Sequence, residues 1–245
     1  MDEKDDQKPK GRQARGLTIA SSQIDASDVT ARLLLPTAAQ GPWMPFERVA
    51  ETVATSRKKA GLHLHQAEEV VAYVLEGYVD HEDDAGHSDA LTPGSVIVLT
   101  AHHPVQHELR MEKGRTARWL SIVLRLPWHT DPPPTSLLVR NAADAVEAAD
   151  GTIQRPVVGA NARADSPTGL ELLDIEFPKE GTGFFRIGRD RRAVAYVLGG
   201  SGTIDNERVA AGQGALLENA SGVQIHGKPG YRVALATVPR PAASP

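Results

Sequence analysis

Gly61-Leu62-His63-Leu64-His65 sets two imidazoles two residues apart, and a third histidine, His107, follows beyond a Pro93-Gly94 turn. Side chains on a strand alternate between its faces, so His63 and His65 point the same way. Imidazoles that converge on the inner face of a small barrel can hold a divalent metal, since imidazole is a ligand for zinc, iron, copper and nickel. The remaining histidines carry plainer expectations. His102 and His103 sit in the turn before His107 and are read as loop residues at the barrel mouth. His81 and His87, within the acidic segment 80–89, are read as solvent-facing, and His129 and His226 have no convincing partners in the sequence.

The elements that would position the three histidines are short. Val70–Leu75, Ser95–Leu99, Trp119–Leu126, Leu170–Phe177, Val194–Leu198 and Val233–Val238 read as buried strands, separated by turns such as Asp84-Ala85-Gly86 and Ala211-Gly212-Gln213-Gly214. Helical periodicity is scarce, and Asn141–Ala149 is the best candidate for a short helix.

The chain also repeats itself. Ala72-Tyr73-Val74-Leu75-Glu76-Gly77 returns 123 positions later as Ala195-Tyr196-Val197-Leu198-Gly199-Gly200. Thr92-Pro93-Gly94-Ser95-Val96 corresponds to Ala210-Ala211-Gly212-Gln213-Gly214 at a separation of 118. Two copies of strand, turn, strand and glycine turn imply an all-β fold of two tandem antiparallel barrels or sandwiches with few short helices. The expected organisation is a charged tail (1–16), a metal-binding first half (17–135), a linker with a short helix (136–150) that follows Pro132-Pro133-Pro134, a second half (151–240) and a short tail (241–245).

The repeat is an internal control. The second-half equivalents of His63, His65 and His107 are Arg186, Gly188 and Ile225, which cannot bind a metal as a set. One half is read as functional and the other as structural. Tyr73 and Tyr196 recur at equivalent positions, which favours core packing over catalysis.

Composition narrows the function. The 245 residues carry a formal net charge of −4 with both signs interspersed, so no general attraction to nucleic acid or an anionic membrane is expected. With no cysteine, thiolate catalysis, disulfides and cysteine-ligated metal sites are excluded. The first sixteen residues are too charged for the apolar core of a secretory signal, and a cytoplasmic protein is the natural expectation. Neither GxGxxG nor a Walker pattern occurs. Arg186, Arg189, Arg191 and Arg192 form a basic cluster, read as a solvated face that could meet an anion or the acidic surface of the first half.

This pattern resembles the pirin family of the cupin superfamily. The resemblance rests on His63-Leu64-His65, Glu69, Tyr73-Val74-Leu75-Glu76-Gly77, then His81 and Asp83, Leu91-Thr92-Pro93-Gly94, Thr100-Ala101 and His107. It runs from about Ala31 to Pro239 and is specific over residues 61–108. It implies a bicupin with one metal in the first barrel, commonly iron, with Mn, Ni, Co, Cu or Zn as other occupants. It matches His63, His65 and His107 to three ligands. The family's fourth ligand is a glutamate two residues after the last histidine, and here that position is Leu109.

Three readings of the fourth position stay open. Glu69 has the parity of His63 and His65 and resembles the carboxylate ligand of other cupins. Glu108 would need a bulge to turn inward, and water would complete a three-histidine site. The resemblance implies either a flavonol (quercetin) 2,3-dioxygenase, with Glu69 as proton acceptor for the substrate hydroxyl, or a non-enzymatic metal-dependent sensor that binds a partner protein. A third reading is another cupin chemistry such as isomerisation of a small polar substrate, since an aromatic content of 4% is low for stacking flat flavonoids.

Overall fold

The computed structural model describes residues 17–19, 22–26, 29–36, 43–55, 60–111, 115–127 and 130–241. The expected charged tail 1–16, His129 and residues 242–245 lie outside them. All regular structure among the described residues is strand. Its first part comprises β1 (Leu17–Ile19), β2 (Ser22–Ala26), β3 (Val29–Leu35), β4 (Phe46–Thr55), β5 (Ala60–His65) and β6 (Glu68–Glu76). There follow β7 (Val79–Asp83), β8 (Ser88–Leu91), β9 (Ser95–Ala101), β10 (Val105–Arg110), β11 (Thr116–Arg125) and β12 (Ser136–Asn141). The next five are β13 (Val146–Glu147), β14 (Ile153–Val158), β15 (Glu171–Phe177), β16 (Gly181–Arg186) and β17 (Arg191–Gly199). The last five are β18 (Ser201–Ile204), β19 (Glu207–Ala210), β20 (Gly214–Glu218), β21 (Gly222–Gly227) and β22 (Tyr231–Pro239). Each of the six buried runs expected from sequence lies in one of these strands or overlaps it.

Pairing is antiparallel throughout and produces four sheets. The first half contributes a seven-stranded sheet, β12-β9-β6-β11-β4-β3-β2, and a four-stranded sheet, β5-β10-β7-β8. The second half contributes β1-β20-β17-β22-β15-β14-β13 and β16-β21-β18-β19, the same order with each strand replaced by its repeat equivalent. One core, with Val70, Ala72, Val74, Leu99, Val105 and Leu109, fills the space between the first pair of sheets. A second core around Phe177, Val197 and Ile225 fills the other pair. The third joins the two large sheets back to back through residues such as Val71, Leu75, Leu120, Val194, Leu198 and Ala236.

This layering explains why the strands at the sheet centres read as continuous apolar runs. In β6, Val70, Ala72 and Val74 face the barrel interior, while Val71, Tyr73 and Leu75 face the other half, so both faces are dry. A strand covered on both faces loses the polar alternation of a half-solvated one.

The short helix expected over Asn141–Ala149 does not form. Residues 136–141 instead make β12, which pairs with β9 of the first sheet, and 146–147 pair with β14 of the second. Between them the amides of Ala142 and Ala143 donate to the carbonyls of Gly94 (2.8 Å) and Pro156 (3.0 Å). A nine-residue helix is marginal on its own, and tertiary backbone partners take these amides first.

The two halves are tied reciprocally. β12 adds to the first large sheet, and β1, at the other end of the first half, adds to the second. Tyr73 in β6 donates to Asp174 of the second half at 2.8 Å, and its repeat equivalent Tyr196 donates to Glu51 of the first half at 2.9 Å. Arg232 and Arg118 complete these buried carboxylates as ion pairs. The packing role read for both tyrosines is therefore joined by a polar one. Turn glycines are duplicated as well. Gly77 and Gly200 adopt φ values of 77° and 75°, and a Cβ at either would collide with a backbone carbonyl oxygen, that of Thr116 or of Gly230.

Candidate metal centre

His63 and His107 are direct cross-strand partners on β5 and β10, and His65 lies opposite Val105. Val105 and Leu109 belong to the core inside the first barrel, so alternation along β10 turns His107 inward too. The three imidazoles converge, with one ligand nitrogen from each within 4.8 Å of the others. Ring centroids are separated by 4.8 Å (His63–His65), 4.5 Å (His63–His107) and 5.0 Å (His65–His107). His63 is exposed at the barrel mouth, whereas His65 and His107 are buried.

The protonation pattern suits a cation. His65 Nδ1 lies 2.6 Å from Glu68 Oε2. An ionised carboxylate only accepts, so Nδ1 donates, and in the neutral ring this tautomer leaves the lone pair on Nε2. Burial works to raise the Glu68 carboxyl, but hydrogen bonds from His65 and Glu47 outweigh it and hold the group below the usual glutamate range. The freed His65 Nε2 is buried and has no partner, as is His107 Nδ1. His107 itself is pushed down to about 3, first by burial and then by the imidazoles of His63, His65 and His81, against the opposing pull of Asp83. It is thus neutral at physiological pH.

The Nε2 atoms of His107 and His63 are 3.1 Å apart. Two nitrogens bonded to one cation at about 2.0–2.1 Å stand roughly 2.9–3.4 Å apart, for right-angled to tetrahedral geometry. The cluster fits a small divalent metal in spacing, tautomer and charge.

Neither expected carboxylate joins it among the described residues. Glu69 is fully buried but lies on the face of β6 turned toward the second half. Its Oε1 accepts from Ser166 Oγ (2.5 Å) and Thr168 Oγ1 (2.9 Å), and its Oε2 from the Thr168 amide (3.2 Å). The shared parity with His63 and His65 misled, because the chain turns through Gln66 and Ala67 between β5 and β6, with Ala67 at a φ of 56°. Burial raises the Glu69 carboxyl, and those donors oppose the rise. Glu108 is ion-paired with Arg110. The register irregularity near His107 affects only the pairing with β5, and β10 runs unbroken against β7, so Glu108 stays turned away.

His81, expected to face solvent, is fully buried. It shares its face of β7 with the core residue Val79, an alternation visible in Val79-Asp80-His81 that the surrounding acids obscured. Burial pushes it below the usual histidine range. His87 is exposed as expected and pairs with Asp83, with Nδ1 2.7 Å from Oδ2. The His103 amide donates to Thr135 Oγ1 at the exposed turn. His226 lies beside Thr182 and Glu180 on the second half.

Two arginines of the basic cluster have internal partners. Arg191 donates to the carbonyl of Gly169, and Arg192 to Glu218 and to the Met44 carbonyl of the first half, stacking over Trp43 at 5.1 Å. Arg186 rims a cavity of about 260 Å³ with Phe184, Glu171 and Gln154.

The pirin family model matches residues 41–122. A Pseudomonas aeruginosa protein provisionally named a quercetin 2,3-dioxygenase is 29% identical over 190 residues, 70% of this chain. The match spans 65% of that protein's length, just under two thirds. The quercetin 2,3-dioxygenase of Escherichia coli K12 is 24% identical over 73% of this chain and 76% of its own. Among solved structures, the bacterial pirin of E. coli in complex with nickel(II) superposes with a TM-score of 0.77 at 18% identity, covering 90% of this chain and 96% of that one.

Proposed function

We propose, from the premise that this chain is a pirin-like bicupin, that its first barrel holds one divalent metal on His63, His65 and His107 and acts as a dioxygenase of the flavonol (quercetin) type. The observation that carries the reading is the convergence of three imidazoles at the mouth of a dry barrel, one of them fixed by Glu68 so that its buried Nε2 faces the cluster without a partner. The nickel-bound relative and the two relatives named for quercetin dioxygenation point the same way.

When bound, the metal supplies Lewis-acid polarisation of a coordinated hydroxyl group and redox access to dioxygen. The chain's own residues do the rest. Glu68 fixes the tautomer and the angle of the His65 ring, the usual service of a carboxylate behind a ligating histidine. His63 lies at the open side, where a substrate hydroxyl would enter. Val70, Ala72, Val105 and Leu109 form the apolar core behind the cluster and keep bulk water from that side. Glu69 does not serve as proton acceptor, because its oxygens are engaged by Ser166 and Thr168.

Aerobic turnover of quercetin by protein reconstituted separately with Fe, Mn, Ni, Co and Cu tests the activity. Loss of flavonol absorbance with release of carbon monoxide, abolished in His63→Ala, is the expected result. Absence of turnover with all five metals rules the dioxygenase out. Should the protein still retain a metal, the sensor reading, in which the metal governs capture of a protein partner, takes its place.

A further inference from the structure

We propose that the second half keeps a ligand cup of its own, which takes a free α-amino acid with an apolar side chain and needs no metal to do so. The cavity of about 260 Å³ on that half lies beside β16. β16 is the edge strand of its small sheet and the repeat counterpart of β5, which carries His63 and His65. The strand that bears two of the clustered histidines in one half thus borders a cavity in the other.

Part of the lining is apolar. Leu173 and Leu235 are cross-strand partners on β15 and β22, and Phe185 of β16 joins them. Leu235 and Phe185 are buried, whereas Phe184 is 63% exposed, a large ring that a bound side chain would take out of water.

The rest of the lining offers two donors and two acceptors. Arg186 is exposed and has no hydrogen-bond or ion-pair partner among the described residues. Thr237 Oγ1 accepts from Arg191 Nε at 2.9 Å, which leaves the hydroxyl hydrogen to donate. Gln154 Nε2 donates to Thr152 Oγ1 at 3.0 Å, which leaves the amide oxygen to accept. Glu171, the cross-strand partner of Thr237, stands 3.9 Å from Arg191, whose closer partners are Gly169 and Thr237.

A carboxylate suits Arg186, because the guanidinium fork matches its two oxygens, and Thr237 adds a donor. A plain carboxylic acid would meet repulsion from Glu171, whereas an ammonium group suits Glu171 and Gln154. An α-amino acid with an apolar side chain carries all three features. The volume falls below the roughly 300–1,000 Å³ of sites for drug-sized molecules, which favours it over a flavonol.

Calorimetric titration of the metal-free full-length protein with L-phenylalanine and with L-leucine tests this. Saturable binding with Kd below about 1 mM is expected for at least one of them. Its analogues without the ammonium group (3-phenylpropanoate or 4-methylpentanoate) and without the carboxylate (2-phenylethylamine or 3-methylbutylamine) are expected to bind about tenfold more weakly. Arg186→Gln and Glu171→Gln, both at exposed positions, should each weaken the amino acid about tenfold. Arg189→Gln, an exposed neighbour outside the lining, and His107→Ala, in the other barrel, should leave its affinity unchanged. No saturable binding of either amino acid, equal binding of the analogues, or unchanged affinity in Arg186→Gln overturns the proposal. Loss of binding in His107→Ala would move the ligand to the first barrel and overturn it as well. None of these outcomes bears on the three-histidine metal reading.

Discussion

Substituting Glu68 isolates what a single residue contributes. With Gln at 68 the His65 ring loses its charged acceptor, and metal affinity is expected to fall about 10–100-fold with the three ligands intact. Titration of the metal-free protein with nickel(II) measures it, and unchanged affinity would remove Glu68 from the account. His107 makes a second prediction. Its folded value of about 3 lies below the 6.5 of an ordinary histidine. Between those pH values the unfolded chain takes up a proton that the folded chain refuses. The stabilising contribution is complete above pH 6.5 and drains as pH falls toward 3. Denaturant midpoints of metal-free protein should therefore fall across that window, and less steeply in His107→Gln. The triad was legible from residue type and strand parity alone. The burial of His81 was not, because the acids around it concealed a Val79-x-His81 alternation, and Glu68 was passed over because its partner lies across a turn.

At the scale of the element, β6 divides its residues between two worlds. Val70, Ala72 and Val74 pack inside the first barrel, whereas Glu69, Val71 and Tyr73 face the second half. Glu69 is accordingly a clamp on the 166–168 segment. The double variant Ser166→Ala, Thr168→Val strips its side-chain donors, and a loss of about 3 kcal/mol or more is expected in chemical denaturation. Metal content should stay unchanged in Glu69→Gln; loss of metal in that folded variant would return Glu69 to the ligand set. Strand positions, the repeat and its glycine turns were all readable, because apolar runs and turn residues are local signals. The fate of Asn141–Ala149 was not. Its alanine-rich composition suits a helix, and nothing within it shows that β9 and β14 wait to pair with it.

At the scale of the molecule, duplication has produced a four-layer stack whose middle core belongs to neither half alone. Tyr73–Asp174 and Tyr196–Glu51 cross that boundary in opposite directions. Tyr196→Phe removes one donor from a buried carboxylate that keeps its arginines, and is expected to cost about 1–3 kcal/mol. Because the shared core spans both large sheets, calorimetry should show one unfolding transition; two well-separated transitions would show that the halves stand independently. The sequence repeat announced two similar halves, but the exchange of β1 and β12 between them was hidden, since strand pairing across such distances leaves no local trace.

The central claim is that three converging histidines make the first half a metal centre while the duplicated half, with Arg186, Gly188 and Ile225 in their place, does not. Elemental analysis of purified protein after reconstitution, beside His107→Ala, tests this most directly. The account predicts one equivalent of divalent metal per chain in the wild type and essentially none in the variant. Equal metal in both proteins, or none in the wild type, would contradict it.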